Sequence, residues 1–97
     1  MPIDDSLPPR FKPGRLIMTS GVDALIHEGW LNPLPYLRRH LRADWGNLCE
    51  SDWRQNNAAL PSGDRLLSSY TITPDITLWI ITEGDRSVTT LLLPSEY

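Results

Sequence analysis

The stretch RLLSSYTITPDITLWIITEGDRSVTTLLL, residues 65–93, decides the fold. It divides into the runs RLLSSYTIT, ITLWIIT and SVTTLLL, rich in β-branched and aromatic residues and each of strand length. Pro74-Asp75 separates the first two runs, and Glu83-Gly84-Asp85-Arg86 separates the last two. Both interruptions suit hairpins, so the segment predicts a three-stranded antiparallel meander. Its middle run is apolar on both faces, with Ile76, Leu78 and Ile80 set against Trp79 and Ile81. That is the pattern of a central strand covered on both sides by helices, and it puts Trp79 in the core.

Upstream of the meander the apolar spacing becomes helical. Ser51 to Leu60 predicts a helix capped by Ser51, with Trp53, Asn57 and Leu60 on one side and Pro61-Ser62-Gly63-Asp64 as the turn that ends it. Leu34 to Ala43 predicts another, in which Leu34, Leu37 and Leu41 share a face. Asn32-Pro33 supplies its N-cap and first turn, and Gly46 a stop. VDALIHE forms a third short helix, opened by Ser20 with Asp23 and closed at Gly29. Arg15 to Thr19 adds a possible fourth strand. Residues 1–14 hold four prolines and read as a mobile arm. The expected architecture is therefore one α+β domain over residues 15–97, with two to three short helices packed on the C-terminal meander.

Composition narrows the class. A chain of 97 residues buries roughly 60–65% of its unfolded surface, enough for one modest core. No apolar run approaches the roughly 20 residues of a membrane span, and residues 1–14 carry Asp4 and Asp5 without an apolar block, unlike a secretory signal. Cys49 is the sole cysteine, so no internal disulfide or cysteine zinc cage is expected. A cytoplasmic protein without membrane association or cofactor is the simplest expectation. The net charge of −3 is unevenly placed. Residues 1–43 hold six bases and four acids, whereas residues 44–97 hold three bases and eight acids.

Several residues could carry chemistry. His40 and Asp44, one helical turn apart, have the spacing in which a carboxylate orients an imidazole as general base. The same spacing also arises when a helix-end histidine pairs with a surface acid. Asp44, Glu50 and Asp52 are carboxylates of the kind that bind Mg²⁺, but nothing fixes their geometry and no metal site is expected. Cys49, beside Glu50 and Asp52, lacks the basic neighbour that activates a thiolate. Arg38, Arg39 and Arg42 give one helix a basic face suited to phosphates. Trp30 and Trp45 lie in connections beside Gly29 and Gly46, where they could act as exposed anchors of a protein interface. No Gly-rich phosphate loop and no G-x-S-x-G elbow is present.

Two sets of motifs stand out: H-x-x-x-D-W-G (His40 to Gly46) followed by Asp52, Asn56, Asn57, Ala59 and Leu60, and the C-terminal strings S-x-Y (Ser68 to Tyr70), L-W-I-I-T-E (Leu78 to Glu83), D-R-S-V-T-T (Asp85 to Thr90) and L-L-P-S-E-Y (Leu92 to Tyr97). Together these resemble a family of short, roughly hundred-residue uncharacterised proteins carried on bacterial plasmids and integrative elements. The resemblance covers residues 14–97, with Asn47 standing where the pattern has Asp. Some members carry a restriction-subunit label, which so short a chain, lacking room for a methyltransferase domain, does not fit. The resemblance implies a mobile-element context, in which small acidic proteins often inhibit host defence as anti-CRISPR or antirestriction factors.

The leading expectation is a non-enzymatic protein-binding inhibitor of a defence complex, using Trp30, Trp45, Asp52, Glu83, Asp85 and Arg86. One alternative is a small phosphodiester- or nucleotide-directed enzyme with His40 as base, Asp44 as its orienter and Arg86 on the phosphate. Another is a nucleic-acid-binding accessory protein that uses Arg38, Arg39 and Arg42.

Overall fold

A computed structural model describes residues 8–97; the expected arm falls partly on residues 1–7, which lie outside the described residues. The three runs form the predicted meander: β2 (Leu66–Thr73), β3 (Ile76–Thr82) and β4 (Val88–Leu92). β1 (Arg15–Met18) is the fourth strand, and it pairs parallel to β4, giving a mixed sheet of order β1-β4-β3-β2. Three helices precede the meander: α1 (Ser20–His27), α2 (Leu34–Leu41) and α3 (Glu50–Ser62). The chain closes on a single 3-10 turn, Pro94–Glu96. The architecture is α+β, and no helix is long and apolar enough to cross a membrane among the described residues.

Helix boundaries shift from expectation for identifiable reasons. Thr19, rather than Ser20, caps α1, its hydroxyl accepting from the Val22 N–H, while the Glu96 carboxylate takes the Gly21 N–H at 2.9 Å. α2 stops at Leu41 rather than Ala43, because Ala43 takes a left-handed conformation with φ of 64°. Pro33, already in helical dihedrals, precedes Leu34 at the start of α2, and Asn32 accepts the Leu34 N–H at 3.3 Å, as a capping side chain does. α3 starts after Cys49, with Ser51 already inside it, and runs through Pro61 to Gly63, which closes it in the left-handed conformation.

The alternation of side chains sorts the sheet into two faces. Leu66, Ser68, Tyr70, Leu78, Ile80, Thr82, Thr89 and Leu91 form the inner face, all buried. Val22, Leu31, Leu25 and Tyr36 pack on the end of this face built from Tyr70, Leu78, Ile80 and Leu91, while Trp45, Ala59 and Phe11 pack around Leu66. The outer face carries Leu67, Trp79, Ile81 and Leu92, and none of the three α-helices packs on it. Ile81 and Leu92 are nonetheless buried there, while Trp79 is only partly buried, contrary to its expected core position. Tyr97 meets it edge-on at 5.6 Å, supplying the cover the helices were expected to give.

The two edges of the sheet differ. Along β2 the outward backbone groups are filled: the Asn56 amide donates to the Leu67 carbonyl and accepts its N–H, Ser69 bonds Trp45 and Asn47, and the Thr71 N–H reaches the Asn47 side chain. Along β1 they are open. Residues 10–13 of the expected arm are docked on the domain: the Arg10 N–H donates to the Leu41 carbonyl at 2.7 Å, and the Phe11 ring packs against His40 and Trp45.

Candidate functional site

The string His40 to Gly46 is a turn built from internal bonds. With Ala43 left-handed, Asp44 folds back so that its carboxylate takes the Arg39 guanidinium at 2.8 Å and the Gly46 N–H at 3.2 Å. The Asp44 carbonyl accepts from the Tyr70 hydroxyl at 2.6 Å, and Arg39 lies over the Tyr70 ring, 4.7 Å from its centroid. Burial pushes the Tyr70 phenol well above its ordinary pKa, so it stays protonated as that donor. Trp45 is not an exposed anchor: it is 0% exposed, and its indole N–H donates to Asn57. Gly46, at φ of 76°, passes so close to β2 that a Cβ would stand 2.1 Å from the Ser69 carbonyl oxygen.

The expected His40–Asp44 dyad does not form, since Asp44 is held by Arg39 and His40 turns inward between two strands. Ser68 lies 2.5 Å from His40 Nδ1, and Thr82 lies 2.8 Å from Nε2. Thr82 also meets Thr89 at 2.7 Å, and the Thr89 hydroxyl donates to the Pro13 carbonyl at 2.7 Å. A carbonyl can only accept, and this fixes every proton in the series. Thr89 gives its proton to Pro13 and so accepts from Thr82. Thr82 accordingly accepts from Nε2–H, and Nδ1 accepts from Ser68. His40 is thus the neutral Nε2–H tautomer in a one-directional chain from Ser68 to the backbone of Pro13. Burial, helped by the positive charge of Arg86, lowers its pKa to about 3. With no exposed surface and both ring nitrogens engaged, this imidazole is placed to order the core, not to accept a substrate proton.

Arg86 does not present its guanidinium for a phosphate. Nη2 donates to the Ala59 carbonyl at 2.9 Å and the Leu60 carbonyl at 3.4 Å, both in the last turns of α3. Nη1 donates to the Asp64 carbonyl at 2.6 Å and to those of Gly84 and Glu83. The cation thus sits where the helix leaves unsatisfied carbonyls and partial negative charge. Phe11 flanks it, the guanidinium 5.8 Å from the ring centroid.

The remaining candidates are scattered. Of the three arginines, Arg39 is committed to Asp44 and Tyr70, Arg42 Nη1 reaches the Arg38 carbonyl at 3.4 Å, and Arg38 is exposed. Asp52 lies in the first turn of α3 and lines an open groove of about 700 Å³ with Gln55, Asp64, Arg65 and Leu67. Glu83 lies 3.7 Å from Arg65. Asp85 accepts from the Ser87 hydroxyl at 2.6 Å and the Ser87 N–H at 3.0 Å, which hold its carboxyl below the ordinary value. Among the described residues no three His, Cys, Asp or Glu side chains converge as a metal cage requires.

Trp30 is different. It is 63% exposed at the α1–α2 connection and borders a shallow depression of about 350 Å³ with Leu25, Glu28, Pro74, Asp75 and Ile76. A second depression of about 420 Å³, with Leu93 and Pro94, shares Leu25, Asp75 and Ile76 with the first. The lining is largely apolar with Thr73, Thr77 and Ser95 among it, its charged members are the acids Glu28 and Asp75, and no basic residue lines either depression. Sequence spacing offers no signal for Glu28 and Asp75 at this surface, because the β2–β3 hairpin brings Asp75 beside Trp30. Comparison with known protein families, with curated proteins and with solved structures finds no match.

Proposed function

We propose that the domain is a non-enzymatic binding protein that docks a partner through the Trp30 surface. In the mobile-element context suggested by its sequence motifs, that partner is a component of a host defence complex, inhibited by occupation of its surface. One observation carries the reading: the most exposed indole borders a mostly apolar depression that shares Leu25, Asp75 and Ile76 with a second, and the charged side chains lining the two are the carboxylates of Glu28 and Asp75. Large exposed aromatics at the centre of an apolar patch are the usual anchors of protein interfaces. The rim selects a partner segment that places an apolar side chain next to Lys or Arg. The internal duties of His40, Asp44 and Arg86 support binding over catalysis.

The test compares proteins retained from host lysate by the wild type, by Trp30→Ala and by the double reversal Glu28→Lys with Asp75→Lys. The partner identified with the wild type is then titrated against each. Loss of a central tryptophan typically costs at least about 2 kcal/mol, or roughly thirty-fold in affinity. Trp30→Ala is expected to bind at least that much more weakly with an unchanged circular dichroism spectrum. Equal affinity of all three proteins for the partner refutes the Trp30 surface as the interface.

A further inference from the structure

We infer that β1 is a homodimerisation edge, pairing antiparallel with β1 of a second copy about a two-fold axis at Ile17, so that two four-stranded sheets become one. The two sheet edges are treated differently by the fold, and this motivates the inference. The β2 edge is sealed by Asn47, Asn56 and the Trp45 carbonyl, the way proteins normally blunt an edge. The β1 edge has no such cover. The Arg15 N–H bonds the Ser87 carbonyl at 2.9 Å and the Thr19 N–H bonds the Leu91 carbonyl at 3.1 Å, so the odd-numbered residues turn their backbone toward β4. By alternation, Leu16 and Met18 turn their N–H and C=O groups outward. Among the described residues nothing bonds them. The strand also lacks proline and lysine and exposes Leu16 at 44%, Ile17 at 41% and Met18 at 41%.

Self-pairing satisfies these features together. With Ile17 facing the partner's Ile17, Leu16 lies opposite the partner's Met18, and both residues of that pair have outward backbone groups. They form closely hydrogen-bonded pairs, and the Ile17 pair is the non-hydrogen-bonded kind in which side chains approach most closely. All three exposed apolar side chains then meet apolar counterparts. The charges select a second copy over an arbitrary strand. In this register Arg15 stands opposite the partner's Thr19 on the same face of the sheet. The Thr19 hydroxyl donates to Glu96 at 2.5 Å, which places that carboxylate at the position Arg15 of the other copy faces. Within one copy, Arg15 has no ion-pair partner and Glu96 no cationic one among the described residues. The two-fold axis supplies both contacts twice.

The experiment reads mass and a cross-link. Sedimentation equilibrium of the wild type over micromolar to millimolar concentration is expected to give a concentration-dependent rise toward twice the 11.0 kDa chain mass. Ile17→Lys, which opposes two ammonium groups across the axis, and Arg15→Glu are each expected to weaken association at least roughly tenfold. In a Cys49→Ser background, Ile17→Cys should oxidise to a covalent dimer, because non-hydrogen-bonded antiparallel partners have Cα atoms about 4.5 Å apart, within disulfide reach. Leu16→Cys should not, because its symmetry mate lies on the diagonal, about 7–8 Å away. A wild type that stays monomeric at millimolar concentration overturns the inference and leaves the edge to a different chain. A dimer that survives Ile17→Lys, or that cross-links through Leu16→Cys in preference to Ile17→Cys, overturns it in favour of another face or register.

Discussion

Acidification from pH 7 to pH 5 is expected to destabilise this domain through one side chain. His40 stays neutral in the folded protein with a pKa of about 3, whereas in the unfolded chain it titrates near 6.5. Between those values the unfolded state binds a proton that the folded state excludes, so stability rises with pH through the window and is complete above about pH 6.5. It is lost progressively as the pH falls below that point. At pH 5, roughly 1.5 units below the unfolded value, the loss is about 2 kcal/mol. At pH 3 it is about 4 kcal/mol, a large share of the stability of a domain of this size. The assay is urea unfolding followed by tryptophan fluorescence at pH 7, 6 and 5, comparing the wild type with His40→Gln. Glutamine keeps a donor and an acceptor but does not titrate, so the variant starts less stable and holds its stability across this range. Equal wild-type stability at pH 7 and pH 5, or an undiminished slope in His40→Gln, would refute the reasoning.

Arg86→Ala is expected to cost on the order of 3 kcal/mol, because the carbonyls at the end of α3 and in the β3–β4 turn lose a charged donor; Arg86→Lys should recover only part, lacking the planar fork. Thermal unfolding reads both. Gly46→Ala forces a Cβ to 2.1 Å from a strand carbonyl and should lose the cooperative transition or destabilise by several kcal/mol, whereas Gly29→Ala, also at positive φ but with nothing within 4 Å, should cost only about 1–2 kcal/mol. Asn56→Asp sets a carboxylate against the Leu67 carbonyl where an amide donor stood at 2.6 Å, and about 1–3 kcal/mol should be lost in urea titrations at neutral pH.

What the sequence revealed and what it concealed divide along one physical line. Runs of β-branched and aromatic residues with turn residues between them reported the meander, because both signals are local. RLIM was legible as a strand, but its parallel pairing with β4 was not, since the partner lies more than seventy residues away. Trp45 and Trp79 were misplaced for related reasons. Burial of Trp45 depends on Phe11, His40 and Ala59 converging from distant segments, and exposure of Trp79 depends on all three helices choosing the same face of the sheet. The His40–Asp44 spacing was read from the helix alone, while Ser68 and Thr82 offered partners only once the strands lay beneath it. Arg86 likewise found the end of α3 through tertiary packing. Trp30 was visible because flanking Gly and Pro leave little nearby to bury it; its acidic rim was not.

The parallel pairing of Arg15 with Val88 ties the two ends of the domain together, and it imposes an order of assembly. The meander closes over short turns, but β1 can join only after a loop of about seventy residues has been closed, a step whose entropic cost is met late in folding. The same logic runs in reverse. In the monomer the strand that docks last, held on one side only, is the natural first element to open, and β4 is bared when it does. At concentrations where the chain is monomeric, amide exchange should therefore be graded across the sheet, fastest at β1 and slowest at β3. This ordering makes the edge, rather than the core, the point where the domain's persistence is decided.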